Sequence, residues 1–122
     1  MTFTELLDWQ WSDYSEKHRN RTNLLIHIVA VPVFVVAAVN LVYAVAALLI
    51  FKLELARAIL SLAAMGASLF AQGRGHALET RPPEPFSSRK DALRRLVSEQ
   101  FVTFPRFVIS GGWFENLEKA ES

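Results

Sequence analysis

The stretch that decides the fold is Leu24–Phe51, LLIHIVAVPVFVVAAVNLVYAVAALLIF, in which His27 and Asn40 are the only strongly polar side chains. A helix crosses the ~30 Å hydrocarbon core of a bilayer in about 20 residues, at ~1.5 Å per residue. This run is longer than that. A second run, Leu55–Ala71 (LARAILSLAAMGASLFA), lies near the lower limit, and Lys52-Leu53-Glu54 between them is the only charged cluster and marks a turn. The pattern predicts an all-α integral membrane protein built on a two-span helical hairpin. A soluble protein with two buried helices is disfavoured, because 122 residues can hardly cover both runs on all sides. The competing architecture is a compact bundle of four or five helices with shallower insertion.

Outward from the hairpin, Thr2 or Thr4 can cap a first helix running to about Arg19. Phe3, Leu6, Leu7, Trp9, Trp11 and Tyr14 fall mostly on one side of it, which suits a helix lying in the membrane interface. Arg19-Asn20-Arg21-Thr22 reads as a break, with Thr22 the candidate N-cap of the next helix and Pro32 a kink within it. The second apolar helix is expected over 55–72, and Gly73, Gly75 and Pro82-Pro83-Glu84-Pro85 mark a loop. Ser87 or Ser88 can then cap an amphipathic helix carrying Leu93, Leu96, Val97 and Phe101 on one face. Pro105 interrupts it. A short aromatic piece follows, with Phe107–Ile109, Gly111-Gly112, Trp113 and Phe114, and the polar tail 115–122 is expected to fray. The whole reads as one membrane-embedded helical domain over 1–122.

Charge and composition narrow the function. A net charge of +1, without a basic patch interleaved with aromatics, gives no footprint for nucleic acid. With no cysteine, a transition metal would have to use His, carboxylate or water. The polar, early-acidic segment 1–23 does not read as a secretory signal, so the apolar runs are expected to be retained. Lys17, Arg19 and Arg21 precede the first run and Arg74, Arg81, Arg89, Lys90, Arg94 and Arg95 follow the second, against Lys52 and Arg57 near the turn. Both ends of the hairpin are thereby expected to face the cytoplasm.

His18, His27 and His76 are the chain's only histidines, and each stands where an apolar stretch meets a polar one. Each alone reads as an ordinary interfacial side chain. All three at one depth, on the cytoplasmic side, point to a metal site. His18 and His27 are nine apart, which on one continuous helix puts them about 180° apart around the axis and ~13 Å apart along it. Shared ligation therefore requires a bend within 19–22. Asn23 and His27, Tyr14 and His18, and Gln72 and His76 are each four apart; His76 and Glu79 are three apart. Asn23 can equally be a helix cap, Gln72 an interfacial amide, and Glu79 a partner of Arg81 or Arg74.

The sequence Tyr14-x3-His18-x4-Asn23-x3-His27-x4-Pro32, followed by Gln72-x2-Gly75-His76, Glu79 and Pro82, resembles a family of small membrane proteins. The characterised fungal member of that family is an Fe(II)-dependent 2-hydroxy fatty acid dioxygenase of phytosphingosine α-oxidation. The resemblance covers roughly 11–85, with a weaker echo in Phe104-Pro105-Arg106-Phe107. In two places the chain departs from the family pattern: Glu79 follows the Gly-His pair by three residues rather than four, and Ala30 stands where the pattern has Gly. The resemblance implies Fe(II) held by His18, His27 and His76, with Glu79 as the accompanying carboxylate or a neighbour of the site. Tyr14, Asn23 and Gln72 would support catalysis by orienting imidazoles through hydrogen bonds. A 2-hydroxy acid can chelate a metal through its carboxylate and hydroxyl, with O₂ as co-substrate and the acyl chain left in lipid. Arg19, Arg21, Arg74 or Arg81 could hold its carboxylate. The rival readings are a different lipid-directed metalloenzyme, such as a Zn²⁺ hydrolase, and a non-enzymatic membrane protein with a structural metal or a histidine core.

Overall fold

The computed structural model describes residues 1–50 and 54–120, so Lys52 and Leu53 of the expected turn lie outside the described residues. In order, the elements are α1 (Phe3–Ser12), a 3₁₀ turn (Ser15–Lys17), α2 (Arg21–Ile50), α3 (Leu55–His76), α4 (Arg89–Ser98), a π-helical turn (Glu99–Thr103), α5 (Phe104–Ile109) and α6 (Gly112–Lys119). No strand occurs among the described residues. α2 and α3 are each long and apolar enough to cross a membrane. They run antiparallel, as contacts between Asn23 and Gly75, His27 and His76, Ala30 and Ser68, and Asn40 and Arg57 require. Within their most apolar stretches only 28% of α2 and 17% of α3 is buried in the protein. Val29, Val36, Leu49, Leu60 and Phe70 all point outward. Large apolar faces of both helices are thus left uncovered by the rest of the described residues.

The other elements gather at one end of this pair. Tyr14, Phe104, Phe107 and Trp113 form the core with Leu24 and Val31, and Ile28 and Val35 pack against it, all from the first half of α2. α1 is capped as expected, Thr2 Oγ1 accepting the Glu5 N–H at 3.1 Å. It stops at Ser12, well short of Arg19, and the chain turns through the 3₁₀ segment before extending over His18–Asn20. The cap of α2 is Asn20, not Thr22: its Oδ1 accepts the Asn23 N–H at 3.0 Å. The tryptophans of α1 are turned toward protein cations, with Arg106 4.1 Å from the Trp11 ring and Arg95 4.8 Å from Trp9.

Four local expectations are corrected. α3 continues through Gly73 and Gly75 to His76. Gly75 is there because Asn23 packs against it: a Cβ would collide with Asn23 Oδ1 and lie 3.4 Å from the Asn23 Cα. Pro105 does not interrupt its helix. The π turn before it lets the Phe104 N–H reach the Glu99 carbonyl, a wider register that absorbs the donor proline lacks. The apolar face of α4 is turned outward at Leu93, Val97 and Phe101, while Arg95, Ser98, Gln100 and Thr103 are buried. Lastly, the tail is helical as far as Lys119, entered through Gly111 in the left-handed conformation (φ 87°). It is anchored at both ends of the break before α2. Trp113 Nε1 donates to the Leu24 carbonyl at 2.9 Å, and Asn116 Nδ2 to the Ser15 and His18 carbonyls at 2.9 and 2.8 Å.

Candidate metal centre

The break over His18–Asn20 turns His18 back toward α2, and the end of α3 brings His76 alongside. His18 and His27 are buried to 2% and 0% exposure. The His18 Nδ1 faces the Tyr14 carbonyl at 2.8 Å, and the His27 Nδ1 faces the Asn23 carbonyl one helical turn back at 3.0 Å. A carbonyl only accepts, so both rings carry the proton on Nδ1 and present a bare Nε2. The His27 and His76 Nε2 atoms stand 3.2 Å apart.

The fourth member is Glu99, at the start of the π turn. Its Oε2 is 3.5 Å from His18 Nε2, 3.9 Å from His76 Nε2 and 4.0 Å from His27 Nε2. All four donor atoms lie within 4.8 Å of one another. Ligands about 2.1 Å from a common ion stand about 3.0 Å apart at right angles and about 3.4 Å at the tetrahedral angle, so this cluster is of the right size. The His18 Nε2 is buried without a hydrogen-bond partner, and lone pairs from at least two rings converge with a carboxylate on one point. A divalent cation would satisfy all of them, and three imidazoles with one carboxylate suit iron, manganese or zinc. Burial raises the Glu99 carboxyl, but contact with His18 and the proximity of the three imidazoles outweigh it and hold the group at about 2. Glu99 is therefore a carboxylate at neutral pH. Tyr14 donates its hydroxyl to Glu99 Oε2 at 2.9 Å, and its ring stacks on His18 at 3.9 Å between centroids. Burial and the adjacent carboxylate push its phenol well above the ordinary range.

Glu79 is not in this cluster. It accepts the Arg19 N–H at 3.0 Å, the Asn20 N–H at 3.0 and 3.1 Å, and Asn23 Nδ2 at 2.6 Å. It thus sits at the positive N-terminus of α2 and fastens the break to the end of α3. The segment after His76 turns away from the imidazoles, which is why an acid three residues on reaches backbone amides instead. Asn23 serves the site through its backbone carbonyl and through Glu79. Gln72 makes no hydrogen bond to an imidazole: it exchanges amide hydrogen bonds with Gln100 at 2.9 and 2.8 Å and donates to Ser68 Oγ at 3.0 Å. That paired amide ties α3 to the π turn carrying Glu99.

A cavity of about 580 Å³ opens beside the cluster, with His18, His76 and Glu99 in its wall and Trp9, Leu69, Leu96 and Phe86 among its apolar lining. Arg19, Arg21, Arg74 and Arg81 do not line it. Arg81 pairs instead with Glu16 and with Asp13 at 3.3 Å, and Arg19 and Arg81 line a separate surface recess. The cations in the cavity wall are Lys17 and Arg95. Sequence reasoning missed these two and Glu99. In sequence, Glu99 is one acid at the end of an amphipathic helix, and the local pattern carries no signal that sets it apart as a partner of the histidines.

These features define a class: an all-helical protein in which three imidazoles and a carboxylate form a candidate metal centre at one end of two membrane-length helices. Residues 4–104 match the family model described as 2-hydroxy-palmitic acid dioxygenase Mpo1-like, and the chain belongs to that family. The matched span contains all three histidines, Glu79 and Glu99. Neither a curated protein nor a solved structure matches the chain.

Proposed function

We propose that this protein is an Fe(II)-dependent dioxygenase of 2-hydroxy fatty acids, working at the headgroup level of a membrane that α2 and α3 cross as a hairpin. The observation that carries this reading is the convergence of three Nε2 atoms and the Glu99 carboxylate at the wall of a largely apolar cavity. The family's description names the substrate class. His18, His27, His76 and Glu99 would hold the metal. An iron(II) ion held there supplies the reactivity toward O₂ that imidazole and carboxylate side chains lack. The Tyr14 and Asn23 carbonyls keep the bare nitrogens of His18 and His27 pointed inward, and Tyr14 fixes both His18 and Glu99. The apolar wall around Leu69 and Leu96 takes an acyl chain and excludes water. The positive residues at the ends of the hairpin support an orientation with both termini and the site facing the cytoplasm.

Anaerobically purified protein should contain iron and consume O₂ when given 2-hydroxypalmitate. Zinc in place of iron, with lipid hydrolysis and no O₂ uptake, would establish the hydrolase instead. Bound metal without turnover would leave a structural site.

A further inference from the structure

Two cations line the cavity, and their situations differ. Arg95 is fully engaged. Its guanidinium donates to the Glu84 carbonyl at 2.8 Å, the Pro85 carbonyl at 3.1 Å and Asp91 at 3.3 Å, between the rings of Trp9 and Phe86. It fastens the proline-rich loop to α4. Lys17 closes the 3₁₀ turn immediately before His18 and is only 7% exposed. Among the described residues, Asp13 is the one acid within ion-pair distance, at 3.1 Å. The same Asp13 oxygen lies 3.3 Å from Arg81, so Lys17 has only a share of that charge.

Its ammonium also lies 5.7 Å from the centre of the Trp9 ring, an apolar wall of the same cavity. Lysines are rarely buried so far unless strongly paired, and a shared carboxylate with a distant ring leaves ammonium donors free toward the cavity. The acids in the cavity wall are Asp13 and Glu99, and Glu99 is turned to the imidazoles. A carboxylate entering this space would meet two negative groups, and Lys17 is the cation with donors to spare.

We propose that Lys17 recognises the carboxylate of the acyl substrate, holding the anionic head beside His18, His76 and Glu99 while the chain lies along Trp9, Leu69 and Leu96. This rests on the 2-hydroxy fatty acid reading above. Asp13 is then an internal stand-in that keeps the ammonium in place until the substrate arrives.

The test compares equilibrium binding of 2-hydroxypalmitate with that of its neutral amide in detergent micelles, by calorimetry on metal-loaded protein. Wild type should prefer the acid by about tenfold or more, the worth of a charge-assisted contact. Lys17→Met should reduce that preference by about tenfold, leaving only the part due to the metal, bind the amide as before and retain its metal; Lys17→Arg should keep most of the preference. Asp13→Asn, which removes the internal competitor, should tighten acid binding. No acid preference in wild type, or full preference in Lys17→Met, overturns the assignment. If Lys17→Met does not fold, weakened acid binding in Asp13→Asn overturns it equally. Failure of the dioxygenase reading looks different: 2-hydroxypalmitate and plain palmitate bind alike without O₂ uptake, and the acid preference still depends on Lys17.

Discussion

Replacing Glu79 by Gln separates a metal ligand from a structural fastener. The Glu79 carboxylate, 9% exposed, takes N–H donors from Arg19, Asn20 and Asn23 at 2.6–3.1 Å. A glutamine keeps one acceptor oxygen and turns an amide nitrogen toward donors it cannot accept from. Losing one charge-assisted hydrogen bond costs about 1.5–3 kcal/mol. Losing the negative charge at the N-terminus of α2 adds about 0.3–1 kcal/mol. The sum is about 2–4 kcal/mol, or roughly 8–16 °C in melting temperature at about 4 °C per kcal/mol for a chain of this size. Because Glu79 lies outside the donor set, the folded variant should still reach the wild-type metal content at saturating metal. Circular dichroism melting in detergent, with metal analysis well below the transition, reads both quantities. A variant that melts like wild type but binds no metal would refute the reasoning and make Glu79 a ligand.

The same structure carries three further expectations. Gly75→Ala places a methyl group against Asn23 and should destabilise the protein by about 1–3 kcal/mol while weakening metal binding, since the turn it displaces carries His76; unchanged melting and metal content would contradict the close approach. Tyr14 has a folded-state pKa above its unfolded value, so its protonated form contributes stability that is complete below about pH 10 and is lost as pH rises beyond it. Melting temperature from pH 8 to 12 should therefore fall more steeply for wild type than for Tyr14→Phe, and parallel curves would count against the buried Tyr14–Glu99 contact. Each added methylene buried in the cavity contributes about 0.8 kcal/mol, so affinity for 2-hydroxy acids should rise about fourfold per carbon until the cavity fills. Turnover of lactate as efficient as that of long-chain acids would mean that the apolar wall plays no part.

The two long apolar helices were legible because each run is apolar over enough consecutive residues to be read from length and composition alone. The bend before α2 was legible from the polar segment 19–22 together with the expectation of a shared site, as His18 and His27 cannot meet on one straight helix. What escaped depends on long-range packing. Gly75 reads locally as a helix breaker, and only the approach of Asn23 explains it inside α3. Leu93, Val97 and Phe101 read as a core face because the pattern marks an apolar side without saying what covers it, and here the polar side turns inward. Glu99 lies 23 residues beyond His76 in sequence, across a proline-rich loop, and reaches the cluster through a π turn whose register the pattern does not encode. The arginines nearest the histidines in sequence are not those nearest in space, since Arg81 is drawn away by Glu16 and Asp13. Lys17, on the inner side of the 3₁₀ turn, takes the place expected of them.

The measurement that bears most directly on the account is metal stoichiometry by mass spectrometry of anaerobically purified protein, wild type beside Glu99→Ala and a His18→Ala/His27→Ala/His76→Ala variant, each checked for helicity. About one iron per wild-type chain is expected, with reduced occupancy in Glu99→Ala and none in the triple variant. Metal-free wild type, or a triple variant that keeps its metal, would contradict it.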